Sequence, residues 1–376
     1  MSRKNINILK NIIQSIIVTM ISLILATTAL HELSSLLNFE HTVQGDDFQI
    51  SDVYNNVANS RSVSYLSKDV TIIGLDGSSR NDIATVVSVV DSLQPKAIGL
   101  DILFFWEYEG DERLISSLDN CSNLVLPIEI EDDSKSTHGS YFYDFLSTPH
   151  FGAINLDSYA LSQAVRSFWP SFTVGGRTFN SFGAELVSIA MPEKYQELMA
   201  RHKESETISY PSVEFMTISY PEFLENPDAF SQDVTGKIIL LGDLADGSDF
   251  HMTPIDVGTP GVKIHAYIID TIINNKFITQ TPAWLSWVLA FIICFVFVAI
   301  NFFIGDVSSN LGNLLMRILQ VTSLYLFFAL GCRIFISHLH YIDFAPSLLM
   351  IGLGLFAYDL WMGLFALYEL IFKKKK

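Results

Sequence analysis

The sequence predicts an α/β fold with a mostly parallel sheet sandwiched by helices, flanked by one N-terminal and three C-terminal transmembrane helices. Three observations lead there. The chain of 376 residues is 49% hydrophobic and 17% charged, and its apolar residues collect in four long blocks. Between the first and second blocks, short apolar runs rich in β-branched residues alternate with segments of helical period. Charge is partitioned as well: His31 to Pro282 carries 36 Asp and Glu against 14 Lys and Arg, a net −22, while the remainder is net basic.

The first block, residues 11–30, has no charge and spans about 30 Å as a helix, enough to cross a hydrocarbon core. We read it as an uncleaved anchor, because a signal peptide has a shorter apolar core and a clear small-residue cleavage site. The second block, 283–304, places Trp284 and Trp287 at one edge, as interfacial aromatics do. The third is 314–336 and the fourth 344–372. Short connectors make these three an antiparallel set. Basic residues flank both ends: Arg3, Lys4 and Lys10 in residues 1–10, and Lys373 to Lys376 in the tail 373–376. The positive-inside rule puts both termini in the cytoplasm. The acidic segment 31–282 is then expected outside the cytoplasm of a multi-pass inner (plasma) membrane protein. Its acidity makes nucleic acid a poor partner. Only Cys121 falls within it, so it holds no internal disulfide, which suits a bacterial envelope.

Two charges inside the membrane blocks need a partner, Arg317 in the third and Asp359 in the fourth, whereas Arg333 lies near the outer end of the third and can snorkel. Charges in a bilayer are costly and usually paired. The sequence is consistent with an Arg317–Asp359 pair coupling the helices, and equally with an early exit of the last helix that leaves Asp359 among headgroups.

Within the acidic segment, Val70–Leu75, Ala97–Ile102, Leu124–Ile128 and Lys237–Leu241 read as strands. They are continuously apolar, the mark of burial on both faces. Asn81–Leu93 places Ile83, Val86, Val87 and Val90 on one helical stripe, and Gln94-Pro95 ends it. Asp111–Leu118, Ser181–Met191 and Val262–Ile273 are further helices, the last leading to the second membrane block.

Carboxylates recur at strand ends, Asp76, Asp101 and Asp243, and the C-terminal ends of parallel strands form the ligand crevice of such sheets. With Asp249 and His265 these form the candidate ligand-binding set. Each Asp can equally cap a helix or satisfy loop amides, and His265 on an apolar helix can equally be a core residue. The loop Gly242–Asp249 lacks the Lys-Ser/Thr of a P-loop and the spacing of an EF-hand. Cation binding by Asp243, Asp246 and Asp249 stays open, because hard cations prefer oxygen ligands. No zinc pattern, nucleophile elbow or recognisable acid–base pair occurs, so neither catalysis, metal nor cofactor is expected.

Several stretches together resemble the type-2 CHASE domain family: VTIIGLDGSS, KAIGLDILF with Asp111 and DERLISSL, GAINLD at Gly152 to Asp157, ISYPSVEFMTISYPEFL, and GKIILLGDLADGSDFHMTPIDVGTPGVKIHAYIIDTII. The last is the most specific, joining Thr253-Pro254 to the helix entry Pro260–Ala266. The resemblance implies an extracytoplasmic sensory module, three closing membrane helices and homodimerisation. It also implies a cytoplasmic output domain after the last helix. This sequence ends at Lys376, so output is expected from a separate signalling protein. A second departure follows the first strand, where Gly-Ser-Ser-Arg80 replaces the family's longer Arg-Trp-Pro-like loop. The leading expectation is therefore a sensor of an unknown small ligand or envelope component. An envelope scaffold without small ligand and an extracytoplasmic metal-dependent hydrolase are the alternatives.

Overall fold

The computed structural model describes residues 3–40, 50–131, 136–147, 149–156, 164–304 and 309–373. Asp157 of the GAINLD stretch and Lys374 to Lys376 of the basic tail lie outside these. The chain divides into two compact units, Met1–Tyr54 with Thr279–Lys376, and Asn55–Ile278.

Among the described residues, the first unit contains four helices long and apolar enough to cross a membrane. They are α1 (Arg3–Glu40) and three more near the C-terminus, α10 (Ala283–Ile304), α11 (Ser309–His338) and α12 (Ala345–Lys373). Helix α1 continues ten residues past the predicted end at Leu30. Val18 and Ala26 of α1, Cys294 and Phe297 of α10, and Met350 and Leu355 of α12 form its core. Polar residues inside α1 are satisfied locally: the hydroxyls of Ser15, Thr19 and Ser22 donate to the carbonyls of Asn11, Ser15 and Val18. That is how a hydroxyl is accommodated where no water is available. Tyr54, in α2 (Ile50–Arg61), nests against Phe328, Phe335 and Tyr341, with ring centroids 5.9, 6.1 and 5.5 Å away. Thr279-Gln280, just before α10, pairs in parallel with His340-Tyr341, between α11 and α12. The His340 ring bridges the Thr279 and Thr281 hydroxyls at 2.7 and 2.9 Å.

The second unit is built on a seven-stranded sheet. Its strands are β1 (Tyr65–Gly74), β2 (Ala97–Asp101), β3 (Leu124–Ile130), β4 (Thr137–His138), β5 (His150–Ala153), β6 (Val213–Ser219) and β7 (Ile238–Gly242). The order is β6-β1-β7-β2-β3-β4, with β5 also on β3, and among the described residues of this sheet only the β3–β4 pairing is antiparallel. The mostly parallel sandwich is as predicted. Alternate residues of the central strands feed two separate cores. Ile72, Ala97, Ile238 and Leu240 face α5 (Phe182–Ala190) and α9 (Gly261–Ile273). Ile73, Ile98, Leu100, Ile239 and Leu241 face α3 (Arg80–Ser92) and α4 (Asp111–Asp119). Each fully buried side chain of this kind contributes about 1.5–3 kcal/mol, which explains why these strands lack polar alternation.

Helix α3 begins with a capping box: Ser79 accepts from Asp82 N–H, and Asp82 accepts from Ser79 N–H at 2.9 Å. A short helix α6 (Pro192–Met199) follows α5, and α7 (Tyr220–Glu225) and α8 (Ser231–Val234) lead into β7. Cys121 is buried, and burial pushes its thiol up to about 12, as for an inert core residue.

Candidate functional site

The register of the sheet decides which strand-end residues meet. Gly74 of β1 pairs with Gly242 of β7, and Gly242 pairs with Asp101 of β2. The three strands are neighbours and stop at one level, so Asp76, Asp243 and Asp101 share the C-terminal edge.

Two of these carboxylates organise the loop after β7. Asp76 Oδ1 accepts from the N–H groups of Leu244 and Ala245, each at 2.7 Å. Asp243 Oδ1 accepts from Ala245 and Asp246 at 2.8 and 2.9 Å. Partial desolvation opposes ionisation of Asp76. Hydrogen bonding with the Asp243 side chain and the two amides outweighs it and holds its carboxyl below the usual range. Asp246 accepts from Ser248 N–H at 2.9 Å. These acids act first as acceptors for loop amides.

The deeper part of the edge is different in kind. His265 Nε2 lies 3.9 Å from Asp101 Oδ2, with side chains only 4% and 10% exposed. Burial, reinforced by the Asp249 charge, pushes Asp101 up to about 8. Burial pushes His265 down to about 4, the field of Asp249 opposing and that of His251 assisting. Near neutral pH both are therefore uncharged, an un-ionised acid facing a neutral imidazole. Phe182 packs edge-on against the imidazole at 5.1 Å. Among the described residues, His265 Nδ1 and His251 Nδ1 are buried without a hydrogen-bond partner. Asp249 links this group to α9: its Oδ2 accepts from Gly261 N–H at 3.1 Å, and its Oδ1 lies 3.4 Å from His251 Nε2. Asp101, Asp249 and His265 are thus brought together, with Asp76 and Asp243 alongside on the neighbouring strand ends. Among the described residues no three His, Cys, Asp or Glu side chains converge as a metal ion would require.

Two polar groups escaped the sequence reading. At the opposite end of the sheet Asp270, fully buried on α9, accepts from Lys276 Nζ at 2.9 Å, Asn274 Nδ2 at 2.9 Å and the Tyr65 hydroxyl at 3.0 Å. Burial raises Asp270 to about 7, the Asn274 hydrogen bond opposing and the Asp69 charge assisting, and burial lowers Lys276 to about 8. Burial thus works against this pair, and hydrogen bonds from Tyr65 and Asn274 support its charged form. The unit is entered and left at this end, since β1 starts at Tyr65 and α9 finishes at Ile273. The second group joins Arg80 to Asp111 at 3.4 Å, beside the loop after β2. Neither was visible because Tyr65 lies 205 residues before Asp270, and Arg80 and Asp111 stand on different helices.

In the first unit, Arg317 Nη2 lies 3.7 Å from Asp359 Oδ2, with side chains 61% and 63% exposed. One turn beyond Arg317, Gln320 Nε2 donates to the carbonyls of Ile351 and Gly352 on α12 at 3.0 and 2.9 Å.

A family model for the CHASE2 domain matches residues 16–301. No curated protein and no solved structure matches the chain.

Proposed function

Because this chain belongs to the CHASE2 domain family, a family of sensory domains and not of enzymes, we propose that it is a membrane-anchored sensor whose second unit binds a ligand outside the cytoplasm. The four apolar helices fit a membrane protein. Basic residues at both ends of the chain support cytoplasmic termini and an exterior position for the acidic unit.

The observation that carries the reading is the shared level of β1, β7 and β2. It brings Asp76, Asp243 and Asp101 to one C-terminal sheet edge, and the reading is supported by the general use of the crevice at that edge for ligands in parallel sheets. The neutral Asp101–His265 pair at its base offers a donor and an acceptor without a fixed charge. Helix α9 starts at this crevice, tethered by Asp249, and runs about 20 Å to the far end. From there the chain continues through the Asp270–Lys276 group to Thr279 and the His340 clasp. A ligand that favours one position of α9 would bias that path by its differential affinity for the two positions. A signalling partner reads the change.

The test is thermal unfolding of the full chain in detergent, screened against small polar metabolites and cations. The expected result is a stabilising ligand whose effect is lost in Asp101→Asn and Asp249→Asn. A compound that stabilises those variants as well as the wild type would place its site elsewhere. A screen with no stabilising compound, together with unaltered signalling in the variants, would defeat the reading.

A further inference from the structure

The loop between β2 and α4 presents apolar surface that the domain does not use. Within Phe104–Gly110, Phe104 is buried, but Phe105, Trp106 and Tyr108 are 47%, 79% and 73% exposed. Glu107 and Glu109 are interleaved with them and exposed. A mobile loop would let its aromatics fold back, but this loop is held. The Arg80 guanidinium stacks on Phe104 at 4.1 Å and Nη2 donates to the Trp106 carbonyl at 3.2 Å. Asp111 Oδ2 accepts from Tyr108 N–H at 2.6 Å and from the Tyr141 hydroxyl at 2.5 Å. Phe105 stacks on His138 at 5.3 Å, and Phe104 N–H donates to Ser140 Oγ at 3.0 Å. A largely buried ion pair is thus used to fix a loop whose outward side is aromatic and acidic.

From this arrangement we infer that the Phe105–Glu109 loop is a docking surface for a cationic peptide segment that also carries apolar side chains. Exposed, pre-ordered Trp and Tyr are the side chains that dominate protein–protein contacts, and pre-ordering lowers the entropy lost on binding. Interleaved glutamates select lysine or arginine, and aromatic faces add cation–π attraction. The alternatives fit less well. A second copy of this unit carries the same net −17 and, in a symmetric contact through this loop, would set Glu107 and Glu109 against their own copies. A lipid surface is disfavoured because anionic headgroups repel the unit. The loop also follows the C-terminal end of β2, while the chain enters and leaves the unit at the opposite end, near Tyr65 and Lys276.

The test is fluorescence anisotropy on the detergent-solubilised full chain, with a short labelled peptide alternating lysine and leucine. The expected result is saturable binding that weakens with salt and is at least tenfold weaker in Trp106→Ala. Glu107→Gln with Glu109→Gln should weaken it several-fold and flatten the salt dependence. All three residues are exposed, so these variants fold, and their retained thermal unfolding shows it. Absence of saturable binding overturns the inference. So does equal affinity for a glutamine–leucine analogue, or binding unchanged by Trp106→Ala. Trp106-dependent binding to vesicles, or Trp106-dependent self-association without peptide, would reassign the surface to lipid or to a second copy. Because the substitutions leave Asp101 and Asp249 intact, ligand stabilisation at the strand edge should survive them, so failure of either idea is separable from failure of the other.

Discussion

Asp249 and Gly261 fit so closely that a methyl group at position 261 would lie 2.7 Å from Asp249 Oδ1 and 2.8 Å from Oδ2. The glycine lets the carboxylate reach the first amide of α9, where the helix dipole favours negative charge. Gly261→Ala should displace Asp249 and lower stability by about 1–2 kcal/mol. Thermal unfolding of the full chain measures this. A melting temperature equal to that of the wild type would mean that the contact contributes nothing.

The neutral pair at the crevice should give opposing pH dependences. Asp101, raised from 3.8 to about 8, keeps a proton that the unfolded chain releases near pH 4. Its stabilising contribution is complete below that pH and is lost as pH rises through 8. His265, lowered from 6.5 to about 4, contributes above pH 6.5, and that contribution is lost as pH falls through 4. Asp101→Asn should therefore remove a fall in stability between about pH 4 and 8 and raise stability at pH 8 by on the order of 1–2 kcal/mol. Melting temperatures from pH 4 to 9 decide it. An unchanged slope between pH 4 and 8 would show that Asp101 is ionised and solvated in the native protein.

The central strands were legible because burial on both faces writes a continuous apolar run, as in Lys237–Leu241. Strand β6 was not, because its alternating burial leaves Glu214 and Thr217 among apolar residues, as befits an edge of the sheet. Strand-end carboxylates could be picked out singly. Their adjacency could not, since it depends on β7 inserting between β1 and β2, and strand order has no local signature. Asp270 was hidden for the same reason. Within VKIHAYIIDTII it reads as one polar interruption of an apolar helix, and its partner Tyr65 lies 205 residues earlier.

That hidden group makes its own prediction. Lys276→Met leaves Asp270 buried with only neutral donors, so its carboxyl should titrate still higher than about 7. The native state then holds a proton that the unfolded chain releases, and stability is lost as pH rises. The cost should be small at pH 5 and about 1–3 kcal/mol at pH 8. Chemical denaturation at the two pH values measures it. Asp270→Asn with Lys276→Met should remove the pH dependence, and persistence of that dependence would assign it to another group.

The Arg317–Asp359 contact poses a question of coupling. At 3.7 Å the charges are close, yet both side chains are open to their surroundings. In water such a pair would contribute little. In a bilayer the same exposure faces lipid or headgroups, where an unpaired charge is costly. Gln320 already pins α11 to α12 through the Ile351 and Gly352 carbonyls. A double-mutant cycle therefore isolates the pair better than a single substitution, because removing one charge also removes its own insertion penalty. With Arg317→Leu, Asp359→Leu and the double variant in lipid–detergent micelles, the coupling energy should be about 0.5–1.5 kcal/mol. The charge swap Arg317→Asp with Asp359→Arg should recover most of it, while Gln320→Leu, which also removes the acceptor of Arg317 Nη1 at 3.5 Å, should be coupled to the pair. Additive single effects would assign the two residues to separate headgroup contacts.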